Sequence, residues 1–128
     1  RVIVEGPDIK LSPDAMQTLS LALHELATNA AKYGALSNEV GKVNVTWTID
    51  NAASVLDVRW VEEGGPPVVA PTRRGFGRIV IERNVARSLE AEVNLEFAPE
   101  GFRASFRIPL DQIRPRVDED RDPQPVLG

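Results

Sequence analysis

Three polar side chains recur at helical spacing within one short segment of the chain. Glu25, Asn29 and Lys32 follow one another at intervals of four and three residues. Residues at these intervals lie on the same side of an α-helix, one turn after another. Mg²⁺ prefers oxygen ligands and phosphate attracts cations, so a carboxylate, an amide oxygen and an ammonium group in one row suit both. The segment therefore predicts a surface that binds a metal–phosphate group.

A second polar group stands where a predicted strand ends. Glu62 is followed two residues later by Gly64 and then by Gly65. A carboxylate accepts hydrogen bonds from an amino group such as that of adenine, and glycine allows the backbone to approach a flat ligand closely. Taken alone, this stretch is better interpreted as an exposed turn with a solvated pair of glutamates.

Two glycines, Gly75 and Gly77, open a second predicted helix. Unpaired backbone N–H groups at a helix start bind phosphate, and glycines let the chain wrap around an anion. The pattern Gly-x-Gly is weak by itself, because many loops carry two glycines for turn geometry alone. Arg74, with Arg73 and Arg78, either adds positive charge there or forms a solvated surface.

The elements that position these residues follow from local signals. Ser12, Pro13 and Asp14 form a typical helix start, and the helix is predicted to run to about Tyr33, with Gly34 as its stop. An apolar stripe is expected to face the core. It consists of Met16, Leu19, Leu23, Leu26, Ala30 and Tyr33.

Alternating apolar residues predict the strands. They cover residues 1–5, 43–49, 56–60, 93–97 and 102–108, and the second helix ends near Leu89. Trp47 is interpreted as a core residue. Antiparallel strands with two helices predict an α+β fold, a two-layer sandwich with helices on one face of a mixed sheet.

Composition excludes several classes of protein. Apolar residues make up 42% and charged residues 27% of the 128 residues, the net charge is −4, and cysteine is absent. The sequence has no evident basic patch, which argues against general nucleic-acid binding. No apolar run approaches the ~18 residues needed to span a membrane. We expect one domain over residues 1–113, a disordered tail over 114–128, and a longer parent protein, because the chain does not begin with Met.

The order of the motifs resembles the Bergerat ATP-binding fold of histidine kinases, DNA gyrase, a chaperone ATPase and a mismatch-repair ATPase. The similarity is closest to the HWE subfamily of sensor histidine kinases. That subfamily has a His in its asparagine box, matched by His24, and a Trp-x-Glu in its first glycine box, matched by Trp60 and Glu62. The resemblance covers roughly residues 1–110 and implies helices packed on one face of a mostly antiparallel sheet.

The resemblance also implies roles for single residues. Asn29 would be a catalytic residue and the Mg²⁺ ligand, and Glu25, one turn before it, a catalytic carboxylate near the metal and the γ-phosphate. Lys32 would help to neutralise phosphate oxygens. Glu62 would read the adenine amino group, and residues 68–74 would form a short lid over ATP. The other residues expected to bind ATP are His24, Tyr33, Trp60, Gly64, Gly65, Arg74, Gly75, Phe76 and Gly77.

The resemblance implies a bacterial cytoplasmic kinase that uses ATP and Mg²⁺. The phosphoryl group would pass to a histidine on a dimerisation domain outside this chain, and then to a response regulator. We therefore expect the chain to bind Mg-ATP without phosphorylating itself. Two alternatives stay open: an anti-sigma-factor-type serine kinase, and a non-catalytic nucleotide-binding interaction module.

Two aromatic residues of the motifs have simpler interpretations. His24, the only histidine, is more often a packing or hydrogen-bonding residue in such a helix, and a supporting role beside Glu25 comes second. Trp60 is expected to be core or cleft wall, since large aromatic side chains on strands are usually buried.

Overall fold

A computed structural model describes residues 1–67 and 76–115, with side chains described for 1–67 and 83–115. The elements along the chain are β1 (Val2–Glu5), α1 (Pro13–Lys32), β2 (Lys42–Asp50), β3 (Val55–Glu63), α2 (Phe76–Leu89), β4 (Glu92–Ala98), β5 (Gly101–Pro109) and a 3₁₀ helix (Leu110–Gln112). Each predicted helix and strand is present within about three residues of its expected bounds. The 3₁₀ helix was not predicted.

The five strands form one sheet in the order β1-β2-β3-β5-β4. Strand β1 pairs with β2 in parallel, and the other neighbours are antiparallel. Side chains alternate between the two faces of a strand. In β3 the buried residues are Leu56, Val58, Trp60 and Glu62, while Arg59 between them is exposed. One face therefore carries the core under the helices, which confirms the predicted α+β sandwich.

The opposite face of the sheet is polar. Asp57 lies there with Arg59 and Arg107, whose guanidinium nitrogens are 3.3 and 3.8 Å from its carboxylate. Such exposed ion pairs add little to stability, about 0–1 kcal/mol each. The face can remain in water because its side chains are charged.

Helix α1 begins and ends as its sequence predicts. The Ser12 Oγ accepts a hydrogen bond from the Ala15 N–H at 3.2 Å, and Pro13 occupies the first turn. Tyr33 is the C-cap, and its N–H donates to the Asn29 carbonyl at 2.8 Å. The Ser12 N–H also donates to the Ile113 carbonyl at 2.7 Å, which joins the helix start to the segment after β5.

The predicted apolar stripe of α1 is only partly correct. Met16 and Tyr33 are 53% and 69% exposed, so their assignment to the core was wrong. The buried face is formed by Ala15, Leu19, Ala22, Leu26 and Ala30. The buried face thus includes two alanines, Ala15 and Ala22, that the predicted stripe left out.

Two further expectations concern Trp47 and the tail. Trp47 is half-buried against the core, and its indole N–H donates to the Pro7 carbonyl at 2.7 Å. The predicted tail, residues 114–128, falls outside the described residues from 116 onward. No helix within the described ranges has the length and apolar character to cross a membrane.

Candidate functional site

The last two turns of α1 carry the polar row identified in the sequence. Glu25 and Asn29 are half-buried and Lys32 is exposed. Within residues 1–67 and 83–115, the side chains of these three residues make no hydrogen bond or ion pair with the protein. The carboxylate, amide and ammonium groups are therefore held by the helix alone and are available to a ligand.

Helix geometry indicates that the start of α2 lies level with this row. A cavity of about 680 Å³ is lined by Asp14 and Thr18 of α1 together with Ser88 and Leu89 of α2. The start of α1 thus lies beside the end of α2, so the two packed helices run in opposite directions. With a rise of 1.5 Å per residue, Gly77 lies about 18 Å before Leu89 along the axis of α2. The same distance along α1, measured from Thr18, ends at about Ala30.

This antiparallel arrangement brings the beginning of α2 and the end of α1 to the same end of the molecule. Phe76 and Gly77 are the first two residues of α2. Gly77 therefore lies in the first turn of a helix, as expected. Arg74, Gly75 and the predicted lid, residues 68–74, lie outside the described residues.

Glu62 is the buried carboxylate at the end of β3. It is 4% exposed, and both of its oxygens accept hydrogen bonds from the protein. Oε1 accepts the backbone N–H of Ala35 at 3.0 Å, and Oε2 accepts the indole N–H of Trp60 at 2.8 Å. The interpretation as a solvated glutamate pair is thus wrong for Glu62 and holds for the exposed Glu63.

Glycines allow Glu62 and its turn to approach the loop after α1. A Cβ on Gly34 would lie 2.2 Å from the Glu62 Oε1, and a Cβ on Gly65 would lie 2.5 Å from the Ala35 Cα. Gly64 has a φ of +77°, in the left-handed region that favours glycine. These positions require glycine because the protein's own chain passes there.

Asn38 also takes part in this junction, the contact between the end of β3 with its turn and the loop after α1. Its Nδ2 donates to the Gly64 carbonyl at 3.2 Å, and its Oδ1 accepts the N–H groups of Val40 and Gly41 at 3.1 and 2.8 Å. Neither Asn38 nor Ala35 was predicted as a site residue. The signal in the sequence is the pattern Asn-x-x-Gly, in which an Asn side chain caps its own turn.

The remaining predicted residues differ in their exposure to solvent. His24 is exposed on α1, and its carbonyl accepts the Thr28 hydroxyl at 3.0 Å. Its role as a packing or hydrogen-bonding residue stays a prediction. Tyr33 is at the exposed end of the helix. Trp60 is 3% exposed, as expected for a core residue, and it is joined to Glu62.

Comparison with known proteins identifies the relatives of this arrangement. No protein-family model matches the chain. The blue-light-activated histidine kinase of Brucella ovis is 43% identical over 112 residues, 86% of this chain and 23% of that protein. The one from Brucella anthropi is 40% identical over 127 residues, 97% of this chain and 26% of that protein. The chain thus spans about a quarter of the length of these curated relatives.

Solved structures agree with the sequence comparison. The blue-light activated histidine kinase of Erythrobacter litoralis superposes with a TM-score of 0.74 at 21% identity, covering 88% of this chain and 36% of that one. The catalytic domain of the histidine kinase ThkA gives 0.64 at 17% identity, covering 87% of this chain and 80% of that one. The chain has the fold of a histidine kinase catalytic domain.

A further histidine kinase, ShkA, was solved in complex with AMPPNP, and this domain superposes on it with a TM-score of 0.62 at 19% identity, covering 90% of this chain and 26% of that one. The predicted resemblance to histidine kinases is confirmed by the curated relatives and by the fold. The roles of single residues stay predictions.

Proposed function

We propose that this chain is the ATP-binding catalytic domain of an HWE-type sensor histidine kinase of the bacterial cytoplasm. The observation that carries the proposal is the row Glu25, Asn29 and Lys32, whose side chains have no hydrogen-bond or ion-pair partner among the side chains described for residues 1–67 and 83–115. The names of the curated relatives support the same activity. Because the chain spans about a quarter of those relatives, the activity of the whole protein belongs to this proposal.

The residues of α1 fit the magnesium–phosphate part of the nucleotide. Asn29 offers a neutral amide oxygen that would be a Mg²⁺ ligand, and the carboxylate of Glu25, one turn earlier, would lie near the ion. Lys32, one turn later, is a point charge for phosphate oxygens. A magnesium ion held by these residues would supply positive charge to offset the charge that develops on the transferred phosphoryl group. The helix itself fixes the spacing of these three groups, and positioning accounts for much of such catalysis.

The start of α2 is assigned to the phosphates. Backbone N–H groups in the first turn of a helix are unpaired, and the helix dipole favours negative charge there. Phe76 and Gly77 form this turn. In the proposal Gly75 lets the chain wrap around the phosphates, Arg74 adds positive charge, and residues 68–74 cover the nucleotide.

The end of β3 is assigned to the purine. Glu62 accepts a hydrogen bond from the adenine amino group, and Gly64 and Gly65, which have no side chain, allow the adjoining backbone to approach the purine closely. Tyr33, exposed at the C-terminal end of α1, and His24, exposed more than two turns earlier on the same helix, are assigned to the outer margin of the nucleotide site. The γ-phosphoryl group passes to an imidazole nitrogen on the dimerisation domain of the same kinase, ADP leaves, and a response regulator receives the group.

The test is the substitution Asn29→Ala, with Ser20→Ala, an exposed position of the same helix, as its control. Calorimetric titration with Mg-ATP is expected to show a loss of affinity of at least about tenfold in the first variant and no change in the second, with unfolding temperatures alike. Unchanged Mg-ATP affinity in Asn29→Ala would contradict the assignment. Failure of the parent domain to bind any adenine nucleotide would overturn the proposal.

The acceptor is tested separately, with the full-length kinase. Phosphohistidine is labile in acid and phosphoserine is not, so acid treatment of the labelled product distinguishes the proposed histidine kinase from an anti-sigma-factor-type serine kinase. An acid-stable product would contradict the histidine assignment. The isolated domain is expected to bind Mg-ATP without phosphorylating itself.

A further inference from the structure

Glu62 is an unusual carboxylate because the partners that satisfy it are neutral. Within residues 1–67 and 83–115 it forms no ion pair with a Lys or Arg side chain. Its two oxygens instead accept one N–H each, from Trp60 on its own strand and from Ala35 in the turn after α1. Burying a carboxylate is unfavourable unless hydrogen bonds replace water, so these two donors are what keep it in place.

The two bonds fix the direction in which the carboxylate can still accept. A carboxylate oxygen has about two lone pairs, and one on each oxygen is used by the protein. The remaining lone pairs have a set orientation only while both N–H donors stay bound. An amino group on the ligand matches such an acceptor, and a carbonyl oxygen at the same position is repelled by it.

The contact is also a link between the two halves of the site. Ala35 lies just beyond the helix that carries Asn29, and Glu62 lies on β3, two residues after Trp60. Gly34 leaves room for the carboxylate, since a Cβ there would stand 2.2 Å from Oε1. The hydrogen bond to Ala35 thereby fixes the position of Glu62, the proposed purine-binding residue, relative to α1, the proposed metal-binding helix.

We propose that Trp60 is a positioning residue that makes the site selective for a 6-amino purine, because its indole N–H, together with the Ala35 N–H, orients the carboxylate of Glu62. This inference rests on the proposed function and adds to it the residue that sets base selectivity. Trp60 does not touch the nucleotide in this role; it acts through Glu62.

The experiment compares the affinities of the domain for Mg-ATP and Mg-ITP, which differ by an amino group and a carbonyl oxygen on the purine. Trp60→Phe keeps an aromatic ring in the core, removes the N–H donor from Glu62 and makes the ring smaller. Trp47→Phe is the matched control, because Trp47 belongs to the same sheet and its N–H donates to the Pro7 carbonyl instead.

The parent domain and Trp47→Phe are expected to prefer ATP over ITP by about tenfold or more, the factor expected of one hydrogen bond to a charged group. In Trp60→Phe the preference is expected to fall to about twofold, chiefly through weaker ATP binding. A general loosening of the fold would lower both affinities and leave their ratio unchanged. A parental ratio in a folded Trp60→Phe variant would overturn the inference.

A second variant keeps the test decisive if Trp60→Phe fails to fold. Gly34→Ala places a methyl group against Oε1 and displaces the carboxylate from the opposite side, so the same loss of base preference is expected. Retained preference there overturns the inference. A parent domain that binds ATP and ITP equally overturns it too, while one that binds neither overturns the proposed function itself.

Discussion

Replacing Glu62 by Gln tests, without any ligand, whether the two hydrogen bonds of this side chain stabilise the junction between β3 and the loop after α1. The change keeps the size of the side chain and exchanges one carboxylate oxygen for an NH₂ group. In the unsubstituted protein, the Glu62 carboxylate accepts hydrogen bonds from two N–H donors, at 3.0 and 2.8 Å. An amide oxygen can accept one of them, and the NH₂ group then faces the other N–H, donor against donor.

The magnitude follows from these two bonds. One buried N–H is left without an acceptor, which costs about 1–3 kcal/mol, and the bond that survives is no longer to a charged group. The neutral amide is less costly to bury than a carboxylate, which offsets part of the loss. We expect Glu62→Gln to lower the free energy of unfolding by about 2 kcal/mol in total.

The assay is equilibrium unfolding in urea, followed by tryptophan fluorescence. With a slope of about 1.5 kcal/mol/M, a loss of 2 kcal/mol lowers the midpoint by about 1.3 M. The control is Glu63→Gln, the same chemical change at the adjacent, exposed position, where an effect within about 0.5 kcal/mol is expected. If the two variants unfold at the same urea concentration, Glu62 does not hold the junction together and the reasoning is refuted.

The remaining predictions concern α1 and use the same assay. Ser12→Ala removes the acceptor of the Ala15 N–H and is expected to cost about 1 kcal/mol, whereas an unchanged midpoint would show that the cap is not needed. Leu26→Ala, at a position 1% exposed, is expected to cost about 2–5 kcal/mol. Leu21→Ala, at 57% exposed, is expected to cost under about 0.5 kcal/mol; similar losses in both would mean that the buried face of α1 is assigned wrongly.

The secondary structure could be predicted closely from the sequence because its signals are local. The bounds of α1 follow from Ser12, Pro13 and Gly34, each of which acts on backbone groups within one turn. The strands follow from alternation over a few residues. The 3₁₀ helix at Leu110–Gln112 could not be predicted in this way, since it carries neither a cap nor an alternating pattern.

The buried face of α1 could be predicted only in part. Leu19, Leu26 and Ala30 were assigned correctly, and Met16 was assigned to the core although it is exposed. Apolar character along a helix defines a broad stripe and leaves the centre of that stripe open. Its centre is decided by where the sheet and α2 lie, and this placed Ala15 and Ala22 in the contact.

The sequence by itself determined the elements, their order, the α+β class and the row Glu25, Asn29 and Lys32, because each depends on residues within a few turns of one another. Only the tertiary structure decided that Glu62 is buried and held by Trp60 and Ala35. The bond to Ala35 joins residues 27 positions apart. Such a contact depends on the path of the whole chain between its ends, and a pattern of neighbouring residues carries no information about that path.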